Sequence, residues 1–196
     1  MKFDANSHPN FFRQNIVAKE GERIVINAVK TELPACNKWG QPCILHDVSE
    51  IKTFQDKDID IVIDSKSRPL QLHYDVRTTY EIKTDLRLNE TNNLFIETET
   101  KRDNGYSTKG WLYKSQADYL LYYSPQRNEY YYMKLSVLRE YIKNNKIRYV
   151  ESYNSEEQAY NCGYLLNLNM ARKIPDIEFY TLNTYEVFPF EELLNR

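Results

Sequence analysis

Glycine is scarce in this chain, with five in 196 residues and no cluster among them. A phosphate-cradling loop of the P-loop kind needs clustered glycines, so that route to nucleotide binding is excluded. Histidine is scarcer still. His8, His46 and His73 have no serine, cysteine or acid at a spacing that suggests a triad, which argues against a Ser/His/Asp or Cys/His hydrolase. Cys36, Cys43 and Cys162 are an odd set of three and read as reduced thiols, not a disulfide framework. Cys36-x6-Cys43-x2-His46 offers one short-spaced pair and no evident fourth ligand, so small half-buried thiols are expected in place of zinc. No stretch approaches the ~20 apolar residues of a membrane span. Met1-Lys2-Phe3-Asp4 lacks the apolar run that would follow the charged start of a signal peptide. The expectation is a soluble cytoplasmic protein without a membrane partner. A surplus of positive charge is also missing: the formal net charge is -2, so there is no broad field for polyanions, and any nucleic-acid contact needs a local basic surface.

What is present suits one domain over residues 1–196, with a core at about 14–140 and a C-terminal extension at about 145–196. The chain is 41% hydrophobic, enough for one sizeable core. Seventeen tyrosines bring apolar bulk with a polar tip and belong at the margins of that core. Residues 1–13 read as an arm. Ile16, Val17, Ile24, Val25, Ala28 and Val29 recur near the helical period, predicting a helix from Gln14 to about Leu33, with Gly21 marking either close packing or a break. Pro34 ends it. Cys43-Ile44-Leu45 suggests loop with a short strand, and Val48 to Phe54 another short strand. Gln55 to Asp64 is rich in β-branched residues and predicts a strand. A second, longer strand is expected from about Leu70 to Asp85, antiparallel to the first. Leu94 to Thr100 alternates as a strand with Phe95, Glu97 and Glu99 on one face. Leu112 to Asp118 predicts a short helix. Tyr119–Tyr123 and Glu129–Leu135 predict a hairpin, and Ser136 an N-cap for a helix over Val137–Lys143. Strands are expected at Arg148–Ser152 and Tyr164–Leu168, and a helical turn at Met170–Lys173.

One stretch carries chemistry. In Thr79-Tyr80-Glu81-Ile82-Lys83-Thr84, strand geometry puts Glu81 and Lys83 on one face and Ile82 on the other, toward a core. The strand before it carries Asp60. If the two pair, two carboxylates and an ammonium meet at a sheet end. Two carboxylates form a hard oxygen site suited to Mg²⁺ or Mn²⁺. A lysine beside them holds a water or a phosphate oxygen. The plainer alternative is an exposed ion pair and a solvated strand-end acid, each contributing little. Asp58 shares the face of Asp60 on an ideal strand and competes for its role.

The order of Asp60 in Gln55-x2-Asp58-Ile59-Asp60-x2-Ile63, then Glu81-x-Lys83, resembles the PD-(D/E)XK nuclease superfamily. Glu81-x-Lys83-x-Asp85, Glu90-Thr91-x-Asn93, Gly110-Trp111 and Ala117-Asp118-Tyr119 are similar to a phage and mobile-element subgroup, over about residues 14–140. Ile59 stands where many members have proline. The resemblance implies an α/β fold with a restriction-endonuclease-like core, a mixed central β-sheet flanked by helices. It implies a Mg²⁺- or Mn²⁺-dependent nuclease, a DNA endonuclease, acting in the host cytoplasm if phage-encoded. Asp60 and Glu81 would bind metal with the Ile82 carbonyl, and Lys83 would position water. Glu22 on the first helix matches the glutamate that many members place near the metal; its alternative is a solvated partner of Lys19 or Arg23. Glu97 stands open as a further ligand, while Glu99 reads as strand surface. Lys101, Arg102, Lys109 and Lys114, interleaved with Tyr106, Trp111 and Tyr113, are the expected nucleic-acid contacts. Cutting a duplex calls for two sites and hence a homodimer. The alternative function is a catalytically silent nucleic-acid- or protein-binding module on the same fold.

Overall fold

A computed structural model describes residues 9–32, 42–65, 76–155 and 157–182. The first helix, α1 (Pro9–Glu32), runs unbroken through Gly21. Strands β1 (Cys43–Asp47), β2 (Ile61–Ser65) and β3 (Val76–Thr84) form an antiparallel meander. The chain then makes a helical turn, α3 (Leu88–Thr91), after the earlier short turn α2 (Lys52–Gln55). Strands β4 (Asn93–Arg102) and β5 (Ser107–Lys109) and a third short turn, α4 (Trp111–Lys114), follow. Strand β6 (Tyr119–Ser124) returns parallel to β3, and β7 (Glu129–Lys134) pairs antiparallel to β6. After α5 (Leu135–Asn144) come β8 (Arg148–Asn154), β9 (Ala159–Asn167), α6 (Leu168–Ala171) and β10 (Ile177–Thr181).

The described strands form two sheets. A mixed six-stranded sheet has the order β1-β2-β3-β6-β7-β10, and an antiparallel four-stranded sheet has the order β5-β4-β9-β8. The fold is therefore mixed α/β, with a mixed central sheet flanked by helices. Strand alternation divides the apolar residues between two cores. Ile61, Ile63, Ile82, Leu121 and Tyr123 face α1 through Val17, Ile24, Val25 and Ala28. Val62, Leu120, Tyr122, Tyr131 and Met133 face the other way, against Leu94, Ile96 and Leu166 of the second sheet and Leu138 and Ile142 of α5. Burying each such aliphatic side chain contributes roughly 1.5–3 kcal/mol.

Gly21 is where α1 meets β3. A Cβ built there would lie 2.0 Å from Thr84 Oγ1 and 3.0 Å from Thr84 Cβ, so the glycine marks close packing and not a helix break. Replacing it with alanine gains ~1 kcal/mol of helix propensity. The threonine is stiff at χ1, so the helix itself must move, and overpacking of this kind costs ~1–3 kcal/mol. Gly21→Ala should lower the urea midpoint, and the Gly21→Ala/Thr84→Ala double variant should recover it. A midpoint unchanged in the single variant would contradict the contact.

Several expectations from sequence are corrected. Val48–Phe54 is not a strand: Ile51 N–H donates to Val48 O at 2.9 Å and the chain enters α2, whose Lys52 pairs with Asp56 at 2.5 Å. Strand β2 starts at Ile61, because Asp58 adopts a left-handed φ of 49° that no continuous strand admits. The helix expected over Leu112–Asp118 ends at Lys114, where Ser115 turns extended and its hydroxyl donates to Asp58 O. Ser136 lies inside α5; Lys134 precedes its first turn without a side-chain cap. Strand β10 has no antecedent in the sequence reading. Residues 145–182, set apart there as part of an extension, are woven into both sheets through β8, β9 and β10. The N-terminal eight residues, Pro34, Cys36, the turn at 66–69, the first part of the Leu70–Asp85 strand, His73 and residues 183–196 lie outside the described residues. The hairpin β6–β7 and the antiparallel pairing of β2 with β3 agree with expectation. Among the described residues no helix is long and apolar enough to cross a membrane.

Candidate active site and the cleft beside it

The β2–β3 register brings the predicted residues together. Ile61 pairs with Tyr80, so one step outward Asp60 lies opposite Glu81. Asp60 N–H donates to Tyr80 O at 2.8 Å. Its carboxylate then bends over the strand, and Oδ2 accepts from Ile82 N–H at 2.7 Å. That bond holds one carboxylate oxygen and leaves Oδ1 outside it. In an extended strand one residue's N–H and C=O point to the same edge. The Ile82 carbonyl therefore faces the gap beyond the start of β2, next to Asp60, while its side chain sits in the α1 core at 2% exposure.

Glu81 is 2% exposed. Its Oε1 pairs with Lys83 Nζ, and its Oε2 is buried with no hydrogen-bond partner. Lys83 keeps a third of its side chain in solvent. Burial raises the Glu81 carboxyl to about 7; Lys83 opposes this and Asp60 adds to it. Burial likewise raises Asp60 to about 6, against the Ile82 N–H bond and with help from Glu22. Glu22 is raised by burial, with Lys83 pulling it down and Glu81 pushing it up, which places it within electrostatic reach of the pair. For Lys83, burial disfavours the charge, but Glu81, its hydrogen bond and Asp60 prevail and hold the ammonium above its ordinary range. Lys19 reaches Glu50 at 2.8 Å and Arg23 reaches Glu20 at 2.6 Å, and the Lys19 ammonium also pulls on Glu22 from a distance.

Asp58 leaves the strand of Asp60, although its charge still adds to the upward shifts of Asp60, Glu81 and Lys83. It precedes β2 in a left-handed turn and binds Lys114 Nζ at 2.5 Å. Lys114, expected at nucleic acid, is thereby engaged beside the acid cluster. Lys101 bridges Glu151 at 2.7 Å and Glu99 at 3.4 Å. Arg102 and Lys109 lie exposed on the β4–β5 hairpin. Of the four cations expected to bind nucleic acid, Lys101 and Lys114 are ion-paired with neighbours, while Arg102 and Lys109 are exposed. Glu97 and Glu99, expected on one face, are separated by a bulge in β4 that places them beside Gly163 and Cys162, adjacent residues of β9 on opposite faces. Cys43 and His46 stand three apart on β1 and so point to opposite faces, which fits the expectation of plain thiols.

A cleft of about 1300 Å³ opens beside Lys83, with Thr84 and Asp85 on one wall and β4, β8 and β9 supplying the floor. Tyr122 ties the two sheets at this point. Its hydroxyl donates to Asp85 Oδ2 at 2.5 Å and accepts from Phe95 N–H at 3.1 Å, and Asp85 Oδ1 accepts from Arg87 N–H at 2.7 Å. The sequence reading missed this cleft because Arg148 and Phe95, neighbours through Leu165, lie more than fifty residues apart in the chain. The alternation of β4 was the available signal. No protein-family model, no curated protein and no solved structure matches the chain.

Proposed function

We propose that the chain is a metal-dependent nuclease that hydrolyses phosphodiester bonds, a DNA endonuclease on a restriction-endonuclease-like core of the PD-(D/E)XK kind. One observation carries the reading. Two carboxylates, half-buried Asp60 and buried Glu81, lie opposite one another where β2 meets β3, the latter with an oxygen that has no partner, and a lysine is fixed against Glu81. Burying such a pair without compensation is costly, and a cation at the pair offsets that cost. The mixed sheet flanked by helices also agrees with what the resemblance implies.

The donor set fits a hard divalent ion. Asp60, Glu81 and the Ile82 carbonyl would hold Mg²⁺ or Mn²⁺. Among the described residues no three acidic, histidine or cysteine side chains form a ready-made cage, and a Mg²⁺ site commonly leaves several positions to water and phosphate. Such an ion supplies Lewis acidity to a phosphate oxygen and lowers the pKa of water. Lys83 stays cationic, so it donates hydrogen bonds: it orients the attacking water or steadies a non-bridging phosphate oxygen as charge develops. It does not take the water's proton. Glu22, raised by burial and close in the electrostatic sense, is the carboxylate suited to that step. Cutting both strands of a duplex would require two such sites and hence a homodimer.

The near-complete burial of Glu81 favours the second reading, a silent binding module in which Glu81 and Lys83 are a structural pair. One experiment decides. Purified protein is incubated with supercoiled and branched DNA and with RNA in Mg²⁺ or Mn²⁺, and metal binding is followed by calorimetry. The nuclease reading expects DNA cleavage that chelation stops, and a metal-binding heat that Asp60→Ala removes. No cleavage of DNA or RNA under any metal, with no binding heat, leaves the module.

A further inference from the structure

Lys83 stands between two acids. Glu81 precedes it by two residues and Asp85 follows it by two. Ile82 packs toward α1, so alternation puts Glu81, Lys83 and Asp85 together on the opposite face. Asp85 lies one residue past the end of β3, yet its N–H donates to Tyr123 O at 2.8 Å and the strand path continues through it. Each acid is roughly 6.6 Å from the lysine along the strand, within reach of its long side chain. The ammonium therefore has two partners to choose from, and it pairs with Glu81. Asp85 is held by other donors. Its Oδ2 accepts from the Tyr122 hydroxyl at 2.5 Å and its Oδ1 from Arg87 N–H at 2.7 Å.

Tyr122 is set for this by both sheets. It pairs with Lys83 in the parallel β3–β6 register, so its side chain shares the lysine's face. Its hydroxyl also accepts from Phe95 N–H at 3.1 Å. Strand β5 covers β4 at Glu99–Lys101, short of Phe95, so that N–H meets the tyrosine in place of a strand. With the Phe95 donor aimed at its oxygen, the hydroxyl proton is left to point at Asp85. Burial and the Asp85 charge raise the phenol well above its ordinary range, so the proton stays on.

We propose that Tyr122 is a positioning residue for Lys83: by occupying Asp85, its hydroxyl keeps the ammonium on Glu81. The proposal rests on the nuclease reading for its effect on rate, and on β3 and β6 alone for its effect on Lys83. Without the hydroxyl, half-buried Asp85 keeps its charge and Oδ2 loses its donor. A carboxylate left short of a donor is costly, and Lys83, on the same face, can relieve it. A lysine turned to Asp85 deserts Glu81 and the place where water or phosphate would need it.

Two measurements test this. One is the metal-free crystal structure of Tyr122→Phe, where Lys83 Nζ is expected within ~4 Å of an Asp85 oxygen. The other is cleavage by wild type, Tyr122→Phe, Asp85→Asn and the double variant. Tyr122→Phe should lower kcat by about tenfold with KM unchanged. In the Asp85→Asn background the same change should cost less than about twofold, because the competing charge is gone. A hydroxyl that merely braced the two sheets would cost the same in both backgrounds. Circular dichroism confirms the fold of each variant. Asp85→Glu is a second arm should Tyr122→Phe not fold: it carries the carboxylate past an intact hydroxyl and should also draw Lys83 off Glu81. Lys83 still on Glu81 in folded Tyr122→Phe or Asp85→Glu, or equal rate losses in the two backgrounds, overturns the proposal. Failure of the nuclease reading shows separately, as a wild type that cuts nothing, and the crystal structure then still decides where Lys83 points.

Discussion

Lys83→Met should reduce DNA cleavage by about 10²–10⁴-fold while the protein stays folded. Methionine matches the lysine stem in length and leaves the packing of its methylenes largely intact. What it removes is the ammonium that pairs with the Glu81 carboxylate. Two effects follow. The proposed donor toward water or phosphate is lost, which affects the transition state and not substrate binding, so the fall belongs in kcat more than in KM. In addition, Glu81 loses the neighbour that opposes its upward shift, so its carboxyl rises beyond about 7 and is protonated at neutral pH. A protonated Glu81 is a poor metal ligand. The variant should therefore recover part of its metal affinity, but not its rate, when pH is raised to about 9. Single-turnover cleavage and calorimetry at pH 7.5 and 9 measure both. A variant cutting within tenfold of wild type at the same metal concentration would remove Lys83 from the machinery.

Without metal, the protein should be more stable at pH 5.5 than at pH 8. Asp60 titrates at about 6 in the folded chain against an ordinary 3.8, and Glu81 at about 7 against 4.5. Both folded values lie above the unfolded ones, so between about pH 4 and 7 the folded state holds more protons than the unfolded state. The stability associated with protonation is complete below the unfolded values and is lost as pH rises through 6 and then 7. Each shift of about two units corresponds to on the order of 3 kcal/mol. Lys83 stays charged across this window and does not alter the sign. Urea unfolding in EDTA should show a higher midpoint at pH 5.5, Asp60→Asn should flatten the dependence, and Mg²⁺ should raise the midpoint at pH 8 more than at pH 5.5. A metal-free midpoint that rises from pH 5.5 to 8 would show that the acids are not buried together.

The acid–lysine site was legible because it depends on local facts. Strand alternation alone separates Glu81 and Lys83 from Ile82, and a short connection pairs the strand of Asp60 with theirs. That Asp58 leaves the strand of Asp60 was not legible. It turns on a left-handed turn and on Lys114, fifty-six residues away. The opposed faces of Glu97 and Glu99 were hidden for a similar reason: a bulge inserts one residue and leaves no mark in the pattern of a strand. The mixed sheet was expected from the resemblance, whereas β10 was not expected at all. Ile177–Thr181 is short and mostly exposed, and it becomes a strand only because the β7 edge offers it hydrogen bonds. The ion pairs that Lys101 makes with Glu151 and Lys114 with Asp58 were not legible either, because the partners are distant in sequence.

Strand β9 sits between β4 and β8, yet it follows β4 by more than fifty residues, with the whole β6–β7 hairpin and α5 in between. Pairing over such separations is entropically slow. As the chain leaves the ribosome, β2 and β3 can bring Asp60 and Glu81 together long before residue 159 exists. For that interval the buried-to-be acids and the apolar faces of β4 have no cover. The acid–lysine pair is therefore assembled first and the sheet that walls the neighbouring cleft last, an order that translation itself imposes.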